Sequence, residues 1–240
     1  MLKRYLDPLR SKVPLRWHQM RKRVTRPALL GTLRRTTPLS DIYGFDRGDP
    51  VDRYYIERFL QDHSRDITGR VLEVRNDLYI QRFGRNVTHQ EVIDIDADNP
   101  DATIIADLSA ADVVPDDSFD CFILTQTLTY IFDTPAVLRH AYRMLRPGGV
   151  VLCTVPCLSR LDPEASQEYW RFTTASCTEL FGAVFGPENV SAQSFGNILV
   201  SIGYLTGMAS QEFSKAELET NDPRFPLIVT VRAVKPRANS

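Results

Sequence analysis

Ser118–Pro156 reads SFDCFILTQTLTYIFDTPAVLRHAYRMLRPGGVVLCTVP, and its internal order decides the fold. FDCFILTQ is a short apolar run of the kind that lies buried on both faces of a parallel sheet. Thr134–Leu145 follows with a threonine N-cap, Pro135 at the first helical position and apolar residues at 137, 138, 141, 144 and 145, so a helix is predicted there. Arg146-Pro147-Gly148-Gly149 stops that helix, and VVLCTVP resumes as a second buried strand. Strand, helix and strand in this order make a parallel crossover, which packs back onto its sheet right-handed.

The same alternation extends outward. RVLEV and EVIDID, upstream, are further short apolar runs separated by a loop or a helix-length segment. Before them, DRYYIERFLQDHSR places Tyr55, Ile56, Phe59 and Leu60 at helical spacing and ends near Thr68-Gly69. Downstream, a polar loop over 157–167 leads to EYWRFT, a helix around Thr174–Phe185, a strand around Val190–Phe195 and a final strand, LIVTVRAV. The whole is an open, doubly wound α/β sandwich. The long segment between the last two strands, 197–222, is placed either to cover a substrate or simply to complete the sheet.

Composition sets the outer limits. At 240 residues and 43% apolar content the chain can bury one full core. No apolar run reaches the length of a membrane span, and the N-terminus lacks a secretory signal, so a cytoplasmic protein is expected. Cys121, Cys153, Cys157 and Cys177 form no CxxC pair, and the four histidines are scattered; reduced core thiols and no metal site are expected. Charge is unevenly spread. Residues 1–40 carry eleven Lys or Arg against Asp7 alone, while the whole chain has a net charge of -1. A basic arm over 1–45 ahead of a domain over 46–240 suits contact with an anionic membrane surface, an acidic face of its own protein, or plain solvation; a transit peptide is a minor alternative. Nucleic acid is not expected as a partner, because the arm holds no recognisable binding module and only Tyr5 and Trp17 as interleaved aromatics.

Ligands of such sheets bind at the C-terminal ends of the strands, where the crossovers change direction. Those ends fall at Glu73, at Asp94 and Asp96, at Asp107 after Ala102–Ala106, and at Gln126. Asp96 lies 19 residues past Asp77, close to the spacing at which an acid after the second strand accepts hydrogen bonds from both hydroxyls of a ribose.

Arg70–Pro156 resembles the core of a class I S-adenosylmethionine-dependent methyltransferase of the type that acts on small metabolites. The segment quoted above is the most specific part of the match. EYWRFT and RGDPVDRYYIERF are similar to segments of bacterial methyltransferases associated with glycan and glycosyltransferase pathways. The resemblance implies a mostly parallel, seven-stranded Rossmann-like sheet with an antiparallel last strand, and S-adenosylmethionine as cofactor. By position it gives Glu73 the orientation of the cofactor loop, Asp96 the ribose, Asp107 and Leu108 the adenine edge, and Gln126 the rim beside the methionine portion. It also sets Tyr54 or Tyr55 over the cofactor from the preceding helix.

The family pattern ExGxGxG falls on Glu73, Val74, Arg75, Asn76, Asp77, Leu78 and Tyr79, and all three glycines are absent. Asn76 and Asp77 are the side chains best able to replace glycine in a left-handed turn, so the loop can form. Arg75 can meet the cofactor's carboxylate or turn outward; near the sulfonium its charge would oppose binding.

The reaction implied is methyl transfer to a hydroxyl of a sugar or glycan precursor. Tyr130, Asp133 and His89 are the candidates for handling the proton, whereas His140 falls inside a helix. Trp170 and Arg171 can shape an acceptor pocket, aromatic face to sugar and guanidinium to an anionic group, or fill the core. A non-catalytic scaffold in glycan assembly is the rival reading, favoured by the lost glycines. A nicotinamide dehydrogenase is disfavoured by the lack of GxGxxG.

Overall fold

The computed structural model describes Trp17, Met20 and residues 23–25, 31–162 and 167–237. The chain divides into Met1–Thr37 and Pro38–Ser240. Of the first unit, Trp17, Met20, residues 23–25 and residues 31–37 are described, the last including a 3-10 turn, Gly31–Arg34. Most of the basic arm, including Lys3, Arg4, Arg10, Lys12, Arg16, Arg21, Lys22 and Arg26, lies outside the described residues. The second unit starts at Pro38 rather than 46. Its first residues are tied into it by Leu39 N–H donating to the Thr206 carbonyl (2.7 Å) and Gly44 N–H to Ser40 Oγ (2.9 Å).

Seven strands build the sheet: β1 (Gly69–Val74), β2 (Val87–Asp94), β3 (Ile104–Ile105), β4 (Phe119–Thr125), β5 (Leu145–Pro156), β6 (Val190–Phe195) and β7 (Ile228–Val234). Their spatial order is β3-β2-β1-β4-β5-β7-β6, with β7 antiparallel to both neighbours and the other pairings parallel. The expected sheet is therefore present, including its antiparallel last strand. Order reverses between β1 and β4, which makes their C-terminal ends the switch point.

Helices cover both faces: α1 (Val51–Asp62), α2 (Leu78–Phe83), α3 (Thr134–Met144), α4 (Thr174–Phe185), α5 (Ile198–Thr206) and α6 (Lys215–Glu219). Because side chains alternate along a strand, neighbours in the central strands enter opposite cores. Leu72, Phe122, Leu124 and Val151 pack with Val137, Leu138 and Phe181 of α3 and α4, whereas Val71, Cys121, Ile123 and Leu152 pack with Ile56, Leu60 and Val200 of α1 and α5. This double burial is why the strands read as unbroken apolar runs.

The connection from β6 to β7 is a packed wall. Val200, Tyr204, Phe213 and Leu218 are buried against α1 and the sheet. Gly203 permits the close fit, since a Cβ there would stand 2.2 Å from Cζ of Phe213. The segment that sequence offered as a cover is thereby fixed to the body. Among the described residues the cysteines are free thiols, and no helix is long and apolar enough to cross a membrane.

Candidate active site

Two groups of side chains meet the C-terminal edge of the sheet. The first is held by short turns leaving β1, β2, β3 and β4. Glu73, buried at the end of β1, accepts from the N–H groups of Tyr79 (3.1 Å to each oxygen) and Ile80 (2.8 Å), and so caps α2 across the loop. Its role is to fix the loop. Burial pushes its carboxyl up to about 7, against the pull of those amides, while Asp77 nearby adds to the rise.

The left-handed residue of this loop is Arg75 (φ 73°), not Asn76 or Asp77. Its N–H continues the ladder to the Ile93 carbonyl (3.0 Å), and its carbonyl accepts from Asn99 Nδ2 (2.7 Å), so the turn is pinned from both sides at that residue. Asn76 instead closes an Asx turn to Leu78 N–H (3.2 Å), and Asp77 accepts from Gln81 (2.7 Å) and Gln90 (2.8 Å). The Arg75 side chain is exposed and makes no ion pair among the described residues.

At β2, the Asp94 carboxylate is occupied by Asp96 N–H (3.1 Å) and Asn99 Nδ2 (2.6 Å). Asp96 is exposed; one oxygen accepts from Asp98 N–H (3.0 Å), and the other takes no hydrogen bond among the described residues. Between them Ile95 is 70% exposed, a bare apolar surface at a strand end that sequence reading passed over. Asp107 is exposed and caps a 3-10 turn through Ser109, whereas the Leu108 side chain lies in the core. Gln126, at the end of β4, is also left-handed (φ 53°). Strained non-glycine residues thus end both strands that flank the switch point.

The second group surrounds Tyr130. Glu168 and Asp162 lie near enough to raise its phenol, which burial first pushes up, to about 12. Tyr43, itself left-handed (φ 60°), carries the Arg160 guanidinium over its ring at 3.9 Å, and its phenol is raised by burial and then by Asp162. Tyr204 stands 6.5 Å from Tyr43 between ring centroids; burial, then Asp52, raise its phenol against a hydrogen bond with Ser159. Asp52 is buried in the first turn of α1, and burial raises it. Its neighbour Arg53 donates to the Tyr79 hydroxyl (2.5 Å), which joins this group to the β1 loop. Tyr43, Asp52, Arg160 and Tyr204 carried no sequence signal, because tertiary contacts assemble them from four separate segments.

Several expected residues spend their polar groups on local structure. Arg171 donates to Thr129 Oγ1 (3.0 Å) and to the carbonyls of Trp170 (2.9 Å) and Arg160 (3.1 Å), and pairs with Glu168. Its guanidinium is committed to clasping the loop after β5. Trp170 Nε1 donates to the carbonyls of Ile131 (3.1 Å) and Phe132 (3.2 Å), and its ring stacks on Phe132. Asp133 caps α3 through Ala136 N–H (3.0 Å). Tyr55 turns away, its hydroxyl donating to the Leu218 carbonyl (2.8 Å) and its ring stacking on Phe195, with Tyr54 edge-on to it. His89 pairs with Glu91 (2.7 Å) in the first half of β2, opposite Arg70 at the start of β1, far along the strands from this edge. His140 contacts Arg143 on α3.

A family model described as a methyltransferase domain matches residues 32–186, and the chain belongs to that family. The fold recurs in a SAM-dependent methyltransferase from Archaeoglobus fulgidus, with a TM-score of 0.52 and 13% identity over 76% of this chain and 94% of that one. An S-adenosylmethionine-dependent methyltransferase from Mesorhizobium loti gives 0.50 and 14% identity over 80% of this chain and 100% of that one. Phosphoethanolamine N-methyltransferase 3 of Arabidopsis thaliana is 43% identical over 49 residues, 20% of this chain and 10% of that protein. The mitochondrial 2-methoxy-6-polyprenyl-1,4-benzoquinol methylase of Schizosaccharomyces pombe is 25% identical over 126 residues, 45% of this chain and 41% of that protein. The chain therefore spans well under half the length of either curated relative.

Family membership supports S-adenosylmethionine as the cofactor, and the strand ends fit it. Bound there, the cofactor would find a carboxylate oxygen of Asp96 that takes no hydrogen bond among the described residues, the bare apolar side chain of Ile95 and the exposed carboxylate of Asp107.

Proposed function

We propose that this chain transfers a methyl group from S-adenosylmethionine to a hydroxyl of a sugar or glycan precursor. The observation that carries this reading is the meeting, at one sheet edge, of the left-handed ends of β1 and β4 and the exposed Asp96 with the polar group around Tyr130. When bound, the cofactor supplies an electrophilic methyl on a sulfonium. The residues of the chain have the remaining tasks: Asp96 holds ribose, Glu73 fixes the loop, and the Tyr130 group aligns the acceptor oxygen for in-line displacement. Tyr130 stays protonated at neutral pH, so it orients the acceptor by hydrogen bonding and does not serve as the base. As the new oxygen–carbon bond forms and the sulfur–carbon bond breaks, the sulfur keeps the electron pair of the broken bond and the hydroxyl proton passes to water at the exposed sheet edge. The basic arm, in this reading, brings the chain to an anionic membrane where such precursors are carried.

Calorimetry with S-adenosylmethionine and S-adenosylhomocysteine, followed by transfer of labelled methyl to a panel of sugars, tests the proposal. Phosphoethanolamine, the acceptor in the name of the Arabidopsis relative, belongs in the same panel. Micromolar binding and label on a sugar oxygen are expected. The second reading, a non-catalytic partner in glycan assembly, is favoured by side chains at all three glycine positions, Arg75, Asp77 and Tyr79. Absence of binding at millimolar cofactor would put it in first place.

A further inference from the structure

Beside the Tyr130 group, at the same sheet edge, an apolar groove of about 340 Å³ runs between the end of β5 and α5. Its walls include Cys157, Leu158, Ile198, Ile202, Leu205 and Phe225. Ile198, Ile202 and Leu205 form a stripe at helical spacing, yet the stripe faces outward: Ile198 is 52% exposed, Leu205 47% and Phe225 39%. A helix that presents apolar side chains on its outer face, while Val200 and Tyr204 fill its inner one, marks a surface meant to be covered.

The groove is continuous with the polar group on two elements. Leu158 in the wall is followed in the chain by Ser159, bonded to the Tyr204 hydroxyl, and Arg160, stacked on Tyr43. On α5, Tyr204 reaches the polar group and Leu205 the groove. A molecule whose hydrophilic head sits by Tyr130 and Tyr43 therefore has an apolar channel directly alongside.

We propose that the groove is a binding site for the hydrocarbon chain of an amphiphilic acceptor, so that the substrate is a lipid-linked rather than a free sugar. This rests on the methyl-transfer reading and narrows its substrate class. The volume falls in the range of small-molecule sites, and Phe172, whose N–H donates to the Pro156 carbonyl (2.9 Å), gives the groove a firm floor.

The test uses n-alkyl β-D-glucosides from hexyl to decyl, each below its micelle concentration, titrated by calorimetry into the whole protein saturated with S-adenosylhomocysteine. Affinity is expected to rise roughly two- to fourfold per added methylene. Leu205→Glu and, separately, Ile198→Gln should flatten that rise while leaving S-adenosylhomocysteine affinity and melting temperature unchanged. Both positions are exposed, so neither substitution opens a core. Affinity independent of chain length overturns the proposal, as does a chain-length dependence that both variants retain. A dimer of the wild type in light scattering that Leu205→Glu dissociates also overturns it, by assigning the groove to a second copy. Failure of S-adenosylhomocysteine to bind sinks the methyl-transfer reading instead, so the two failures are told apart.

Discussion

The sheet edge at β1, β2 and β3 and the edge around Tyr130 are built by opposite means. At the ends of β1, β2 and β3, most contacts span a few residues: Glu73 with Tyr79 and Ile80, Asn76 with Leu78, Asp96 with Asp98, Asp107 with Ser109. Around Tyr130 they span tens of residues, as in Thr129 with Trp170 and Arg171, and a single guanidinium closes the loop. The first half is a chain of short turns, cross-linked at Arg75 to Ile93 and Asn99. The second depends on a clasp, and removing its centre should release everything at once.

That contrast predicts its own largest break. Arg171→Ala leaves Glu168, whose side chain is 5% exposed, without its partner and frees three further acceptors, and should cost about 3 kcal/mol in urea denaturation. Cofactor binding to the fraction still folded should change little. Equal loss of stability and of cofactor affinity would show that the two halves are one unit.

Asp96→Ala probes the other half. Because the side chain is exposed, stability should hold within about 0.5 kcal/mol. S-adenosylhomocysteine should nonetheless bind at least tenfold more weakly in calorimetry, as expected for loss of a charge-assisted hydrogen bond of about 2 kcal/mol.

Glu73 gives a pH test. Its carboxyl, pushed up to about 7, holds a proton in the folded chain that the unfolded chain releases above about 4.5. The folded state thus binds more protons between those values, and its stability falls as pH rises from 4.5 through 7. Glu73→Gln keeps an acceptor for Tyr79 and Ile80 without the charge, and should be the more stable form at pH 8 by about 3 kcal/mol, with the two chains converging near pH 4.5. Parallel stability curves would place the Glu73 carboxyl near its ordinary value.

The smallest effect belongs to Arg75→Gly. Glycine relieves a left-handed conformation that costs other residues about 1 kcal/mol, and loses part of that gain to its freer unfolded chain. A rise of about 0.5 kcal/mol with cofactor affinity within threefold is expected; a tenfold gain in affinity would mean that the guanidinium opposes the sulfonium after all.

Legibility follows the same division. β1, β4, β5, α3 and α4 were readable because buried parallel strands demand unbroken apolar runs, and a capped helix demands a fixed spacing. Asp96 and Asp107 stand, exposed, just past the strand ends where the apolar runs place them. For Arg171 the expected reach toward an anionic acceptor group meets a guanidinium already spent on Glu168 and on the carbonyls of Trp170 and Arg160, a commitment visible only in the folded chain. His89 was misplaced for a simpler reason, since a sequence does not say which end of a strand faces the ligand when the strand starts earlier than its apolar run.

The sequence by itself determined the doubly wound sheet and the carboxylates at its strand ends, since these follow from periodicity and local turn chemistry. Tertiary structure alone decided that Arg75 takes the left-handed turn, that Tyr43, Asp52, Arg160 and Tyr204 gather beside Tyr130, and that the outer stripe of α5 faces a groove. Those outcomes depend on which distant backbones offer hydrogen-bond partners and how closely helices approach, and neither is written in the spacing of residues along one chain.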